Sequence, residues 1–232
     1  MTQQTIVTRE LWLGARKDLL AKEKELTRLR DQVSALRREL PWVRVERDFV
    51  FEGPNGKQTL AELFEGKSQL LVYHLMFAPE NEGPCRSCSF WADAFNGMQT
   101  HLAQRDVRLI AISRAPLAKL ESFRQRMGWS FPWYAAADDS FNVTYGVYFP
   151  DADAANRPAY NFGTEKPQGR DKPGVSVFVR DADGSVYHTY SCYSRGIDGL
   201  NPTYQYLDLL PKGRDEAGLS YPMAWVRYHD AY

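Results

Sequence analysis

The stretch that most narrows the possible folds of this 232-residue chain runs from Gln69 into the helix-like segment after Cys88. Gln69-Leu70-Leu71-Val72-Tyr73-His74-Leu75-Met76-Phe77 is almost unbroken in apolar residues. Such a run, lacking polar alternation, predicts a central strand covered on both faces. A short loop, Ala78 to Pro84, leads to Cys85-Arg86-Ser87-Cys88. Cys88, Trp91, Phe95, Met98 and Leu102 then recur at spacings of three and four, which predicts a helix to about Gln104 with one apolar face. A strand, a tight loop and a C-x-x-C opening a helix is a layout for thiol redox chemistry.

The rest of the chain extends this pattern. Val107 to Ser113 predicts a second buried strand, and Ala115 to Met127 a helix with Pro116 near its start, where proline is tolerated. Phe131 to Tyr134 reads as a short extended piece and Ser140 to Val147 as a short helix or turn. Residues 149–173 are rich in Pro, Gly, Asp and Asn and predict an inserted loop. Val175 to Val179 and Val186 to Tyr190 predict two strands joined by a turn at Asp181-Ala182-Asp183-Gly184. Leu200 to Leu210 predicts a helix. Upstream, Trp42 to Phe51 alternates as one strand, and Thr59 to Phe64 reads as a short helix closed by Gly66. From Gln69 the order is β-α-β-α, an insertion, then β-β-α. That order predicts an α/β fold, a thioredoxin-like (peroxiredoxin-like) three-layer sandwich.

A long N-terminal helix stands in front of this domain. Thr8 is suited to cap it, Glu10 suits the positive end of its dipole, and Pro41 ends it. Trp12, Ala15, Leu19, Lys22, Leu26, Leu29, Val33, Leu36 and Leu40 alternate spacings of three and four. This is a heptad seam with one lysine in it, flanked by mixed charges. A helix of about 30 residues is roughly 45 Å long, longer than a small domain is wide. The expected role is a homodimer formed through this helix. The expected division is therefore a heptad arm over 1–41, a thioredoxin-like domain over 42–211 with the loop at 149–173, and a C-terminal tail over 212–232 packed on the domain.

Composition excludes several other roles. Basic and acidic residues number 29 each, so no broad charge marks a nucleic-acid or anionic-membrane partner. No run approaches the roughly 18 apolar residues of a membrane span. Met1 to Val7 lacks the charged and apolar regions of a secretory signal, which makes the cytoplasm the expected location. Three cysteines do not make a disulfide scaffold there.

The cysteine pair is read as asymmetric. Cys85 sits near a helix N-terminus, beside Arg86 and within reach of the second thiol, and all three lower a thiol pKa. Cys88 shares a stripe with Trp91 and Phe95, so it is expected to be buried. Cys85 is then the nucleophile and Cys88 the resolving thiol. Zinc wants four ligands, and no second C-x-x-C or H-x-H group is present, so no metal and no bound cofactor is expected. The expected partners are a disulfide-containing protein or small thiol and an external reductant. Cys192 and His74 are read first as packing residues. Trp91 is a neighbour that shields the thiols. Arg114 follows the strand ending at Ser113, at the end of the sheet where α/β active sites lie, and either faces the cysteines or forms a salt bridge.

Several strings together resemble the bacterial family DUF899: Thr8-Arg9-Glu10-Leu11-Trp12-Leu13-Gly14-Ala15-Arg16-Lys17, Pro41-Trp42-Val43-Arg44-Val45-Glu46, Ser87-Cys88-Ser89-Phe90-Trp91-Ala92-Asp93, Ser113-Arg114-Ala115-Pro116 and Met223-Ala224-Trp225-Val226-Arg227. The resemblance implies a thioredoxin-like fold with Cys85 and Cys88 as the redox pair, and implies no substrate. Thioredoxins place a cis-proline before the strand facing the cysteines. Here Val175 takes that place and Pro173 lies two residues earlier. Peroxiredoxins carry a threonine three residues before the reactive cysteine, where this chain has Glu82. The leading expectation is a thiol–disulfide oxidoreductase. The alternatives are a thiol peroxidase and a non-catalytic interaction protein assembled by the heptad helix.

Overall fold

The computed structural model describes residues 5–150 and 159–232. The chain divides into two compact units, Met1–Pro41 and Trp42–Tyr232. The first is helix α1 (Arg9–Glu39). The Thr8 hydroxyl caps it by accepting from the Leu11 N–H at 3.4 Å, and Arg37 and Arg38 occupy its negative end. Leu40 leaves the helical region (φ −59°, ψ 138°), as a residue before proline must. None of its side chains is buried.

The second unit is built on one sheet. Among the described residues its strands are β1 (Val43–Arg44), β2 (Val50–Gly53), β3 (Gly56–Thr59), β4 (Gln69–His74), β5 (Val107–Ser113), β6 (Trp133–Ala136), β7 (Gly174–Arg180) and β8 (Val186–Tyr193). Their order is β1-β8-β7-β4-β5-β6-β2-β3. The helices are α2 (Arg86–Ala92), α3 (Met98–Ala103), α4 (Leu117–Arg126), α5 (Ser140–Thr144) and α6 (Pro202–Leu207). β4 pairs parallel to β5 and antiparallel to β7, and β7 forms an antiparallel hairpin with β8. With α2 in the crossover from β4 to β5, this is the strand order of a thioredoxin-like core. β6 extends it in parallel, and the β2–β3 hairpin closes that edge.

Alternation in the central strands divides the core. Tyr73, Leu109, Ala111 and Val175 join a cluster with Cys88, Trp91, Phe95 and Trp133. Leu70, Val72, Ile110, Ile112 and Phe178 join another with Phe51, Leu63, Phe64 and Phe141. His74 is buried, and its Nε2 lies 2.9 Å from Ser176 Oγ. Burial pulls its pKa down to about 3, so the ring is neutral.

Two local expectations are corrected. Residues 42–51 do not form one strand: β1 pairs with β8 and β2 with β6, on opposite sides of the sheet order. The intervening residues carry Val45 and Phe49 into the second core cluster, and burying Phe49 against Phe141 outweighs continued pairing. The helix predicted to run to Gln104 breaks at Asn96-Gly97, where Gly97 has φ +82°. The Asn96 side chain instead donates to the Gly128 carbonyl and accepts from the Ser130 N–H at 2.8 Å. Met98 is consequently exposed. Of the loop expected over 149–173, residues 151–158 lie outside the described residues. Its later part is tied down by bridges between Tyr148 and Asp171 and between Tyr160 and Glu165.

Phe51 is fully buried in the second cluster. Phe51→Ala is expected to cost about 3–5 kcal/mol in denaturant unfolding. Substitution of the exposed Val143 should stay within about 0.5 kcal/mol.

Candidate functional site

The site begins where the chain leaves β4. Leu75 N–H still donates to Ile112 at 3.1 Å, and Ser113 Oγ donates to the Leu75 carbonyl. The Met76 carbonyl then accepts from the Cys85 N–H at 2.8 Å, closing the loop and seating Cys85 at the N-cap of α2. The Cys85 carbonyl accepts from the Ser89 N–H at 2.9 Å and from the Ser89 hydroxyl, so the first turn forms at once.

Both residues are thiols. Cys85 is half-buried, and Cys88 is only 2% exposed within the Trp91–Phe95 cluster. Their acidities are driven apart. The Cys88 thiol, hydrogen-bonded to Cys85, pulls the Cys85 pKa down, and the N–H groups of Cys88 and Ser87 add to this. Burial opposes them, and the result is about 6. Burial pushes Cys88 well up, and the neighbouring Cys85 charge pushes the same way. Cys85 is therefore the more acidic thiol of the pair and Cys88 the less acidic.

The other predicted neighbours divide. Trp91 is buried beside Cys88 and donates from its indole N–H to the Ile197 carbonyl at 2.9 Å. Val175 is buried in the same cluster, in register with Tyr73 on one side and Cys192 on the other. Arg86 is exposed and lies over the Tyr228 ring at 6.0 Å; the Cys88 thiol and the helix N–H groups take the part foreseen for it. Arg114 makes its contacts away from the thiols. It is paired with Asp139 at 2.7 Å and Asp171 at 3.0 Å and stacked over Tyr148 at 3.5 Å. The salt-bridge alternative describes it, and through Asp171 it holds the segment carrying Lys172 and Pro173. No cis peptide occurs among the described residues. Pro173 lines a cavity of about 600 Å³ together with Cys88, Tyr73, Met76 and Trp91.

Three residues at the site were not foreseen. Tyr73, fully buried, donates its hydroxyl to the Cys88 carbonyl at 3.3 Å. Tyr228 donates to the Pro84 carbonyl at 2.6 Å, packs on Phe123, and comes so close to Gly83 that a Cβ there would meet its hydroxyl at 2.8 Å. The tail carrying it is fastened by the Arg126–Asp230 pair at 2.7 Å and by His229 on Asp93 at 2.7 Å. Lys172 is partly buried; burial lowers its pKa, while the charges of Glu165 and Cys85 favour its ammonium form. Strand alternation could have placed Tyr73 on the Cys88 face. Nothing local connects Lys172 or Tyr228 to residues so distant in the chain. Among the described residues no group of three or more His, Cys, Asp or Glu is placed to hold a metal, and no helix is long and apolar enough to cross a membrane.

A family model described as a bacterial protein of unknown function (DUF899) matches residues 1–232. No curated relative matches the chain. Among solved structures, peroxidoxin BcpB from Mycobacterium tuberculosis is similar at 17% identity and a TM-score of 0.47, over 72% of this chain and 97% of that one. Peroxiredoxin Q from Xanthomonas campestris is similar at 12% identity and a TM-score of 0.47, over 69% and 90%. PrxQ from Xylella fastidiosa is similar at 12% identity and a TM-score of 0.42, over 69% and 89%. Likeness of this degree says nothing of activity.

Alkylation of the reduced protein should follow the Cys85 thiolate, rising through pH about 6 and levelling above it. Cys85→Ser should abolish the fast phase, and Cys88→Ala should move the midpoint up, because the Cys88 thiol is the main stabiliser of the thiolate. The sign for stability is the same: a depressed folded-state pKa stabilises above the ordinary thiol value and is lost as pH falls through about 6. A midpoint at the ordinary thiol value would contradict the assignment.

Proposed function

Since the chain belongs to the bacterial DUF899 family, whose function is unknown, its role has to come from its own site, and we propose that it is a thiol–disulfide oxidoreductase. The observation that carries this reading is the placement of the two thiols: Cys85 is reachable at the N-cap of α2 and Cys88 is buried one turn behind it, surroundings that pull the first pKa down and push the second up. The scaffold is a thioredoxin-like three-layer sandwich, and the site acts without a bound cofactor or metal.

The Cys85 thiolate attacks one sulfur of a substrate disulfide. The substrate S–S bond breaks, a mixed disulfide with Cys85 forms, and the leaving thiolate takes a proton. Cys88 then attacks Cys85 Sγ. Its proton goes to the second departing sulfur, and the chain is left with a Cys85–Cys88 disulfide. The substrate gains two electrons and two protons, one proton from Cys88 and one from solvent, and an external dithiol reductant returns two electrons and the Cys88 proton to the chain. Trp91 and Val175 pack in the buried cluster around Cys88, Arg86 lies at the rim over Tyr228, and Arg114 positions the Lys172–Pro173 segment. The substrate is a disulfide-containing protein or a small disulfide, in the cytoplasm, and neither nucleic acid nor membrane takes part.

Stabilising the thiolate stabilises the reduced form, so the disulfide is the more oxidising. A Cys85 pKa of about 6 lies between the values for thioredoxin and for DsbA, so the reduction potential should fall between about −270 and −120 mV. Cys88→Ser should trap a mixed disulfide on Cys85 that dithiothreitol releases, while Cys85→Ser traps none. If the unaltered protein reduces hydroperoxides but neither reduces nor traps disulfides, the peroxidase reading replaces this one. The Glu82 position makes that the weaker alternative. If neither thiol turns over, the chain is a non-catalytic interaction protein.

A further inference from the structure

Helix α1 presents a surface that its own unit leaves without a partner. It has 31 residues and no buried side chain, and the seam leucines Leu19, Leu26, Leu29 and Leu36 all stand exposed. Helices in proteins draw most of their stability from packing an apolar face. A seam spaced at three and four over about four heptads is the pattern that a second helix covers by knobs-into-holes packing. We propose that the occupant is α1 of a second copy, laid parallel and in register.

The flanking charges select the orientation. With Trp12, Leu19, Leu26, Val33 and Leu40 at the first core position of each heptad, the residues just before them include Asp18, Glu25 and Glu39. The residues just after the second core position are Arg16, Glu23, Arg30 and Arg37. A parallel pair sets the first group against the second, five residues on. Glu25 then faces Arg30 and Gln32 faces Arg37, each twice by symmetry. An antiparallel pair with matched seams sets Arg16 against Arg30, Glu23 against Glu23 and Glu25 against Glu25, which are all like charges. The parallel pair has one unfavourable match, Asp18 with Glu23. There Arg16 holds Glu23 at 2.7 Å within the same helix, as Lys22 holds Glu25 at 3.1 Å, so the choice rests on Glu25 with Arg30 set against three like-charge matches.

Lys22 sets the register. It is the one charged residue in the seam, and its ammonium reaches out to Glu25 at 3.1 Å. In register the two lysines leave the core together, and every leucine meets a leucine. A shift of one heptad sets Lys22 against Leu29 and Ala15. A single polar core residue of this kind specifies register and strand number at some cost in stability. Both chains then leave the coiled coil at the same end, at Pro41.

Sedimentation equilibrium of the full chain at micromolar concentration should give twice the 26.6 kDa of one chain. Leu26→Asp should give the single-chain mass, with the thermal transition of the 42–232 unit unchanged. Arg30→Glu decides the orientation. It sets two acids against each other in the parallel pair and should raise the dissociation constant about tenfold. In the antiparallel pair it would oppose Arg16 and tighten the dimer. Adding Glu25→Arg to Arg30→Glu should restore the parallel dimer. A single-chain mass for the unaltered protein, a trimer, or an Arg30→Glu variant that dimerises equally well or better would overturn the proposal. None of these outcomes depends on whether the thiols are redox-active.

Discussion

The hydrogen bond from the Cys85 N–H to the Met76 carbonyl, at 2.8 Å, joins the end of β4 to the start of α2. The other features of the thiol site follow from it. It turns the chain back on itself after the apolar run, so that α2 begins over the sheet. It leaves Cys85 one residue before the first helical position, where N–H groups of the first turn have no partner within the helix. One helical turn later Cys88 is buried in the apolar cluster of Tyr73, Trp91 and Val175. Chemically identical side chains thus meet opposite surroundings three residues apart.

Electrostatics turns that placement into chemistry. Burial raises any thiol pKa, and at Cys85 it is outweighed by the Cys88 thiol and the backbone donors. At Cys88 burial is the largest effect, and the Cys85 charge reinforces it. Each pKa unit is worth about 1.4 kcal/mol, so a few hydrogen bonds suffice to separate the roles. Contacts from distant segments fasten the walls of the site. Tyr228 from the far end of the chain pins Pro84, and Arg114, through Asp171, anchors the segment that brings Lys172 and Pro173 to the site.

Much of the scaffold was legible because its residues satisfy one strong local rule. α1 has a capping hydroxyl, a terminating proline and a seam of constant period. β4, β5 and the β7–β8 hairpin are apolar runs between turn residues. Failures came where a local pattern competed with a contact it could not foresee. Residues 42–51 alternate well enough for a strand, but Phe49 gains more from Phe141 than from pairing. The stripe through Met98 and Leu102 continues the helix on paper. In the fold, Asn96 is taken by the Gly128–Ser130 turn, and Gly97 adopts a φ that breaks the helix.

The same division holds at the site. The sequence by itself determined that two thiols stand at a helix start behind a buried strand, and that Cys88 lies on the apolar stripe, because spacing in a helix dictates facing. It determined equally that α1 carries a heptad seam with Lys22 inside it. Only the tertiary structure decided that, of the three groups read as lowering the Cys85 pKa, the Cys88 thiol and the helix N–H groups are the ones at hand while Arg86 turns to Tyr228, that Arg114 pairs with Asp139 and Asp171, and that Tyr73 and Lys172 complete the surroundings. The reason is physical. Helical phase is set within a few residues of chain, whereas a pKa depends on every charge, donor and apolar wall within several ångströms, and those arrive from segments as far apart as Tyr73 and Tyr228.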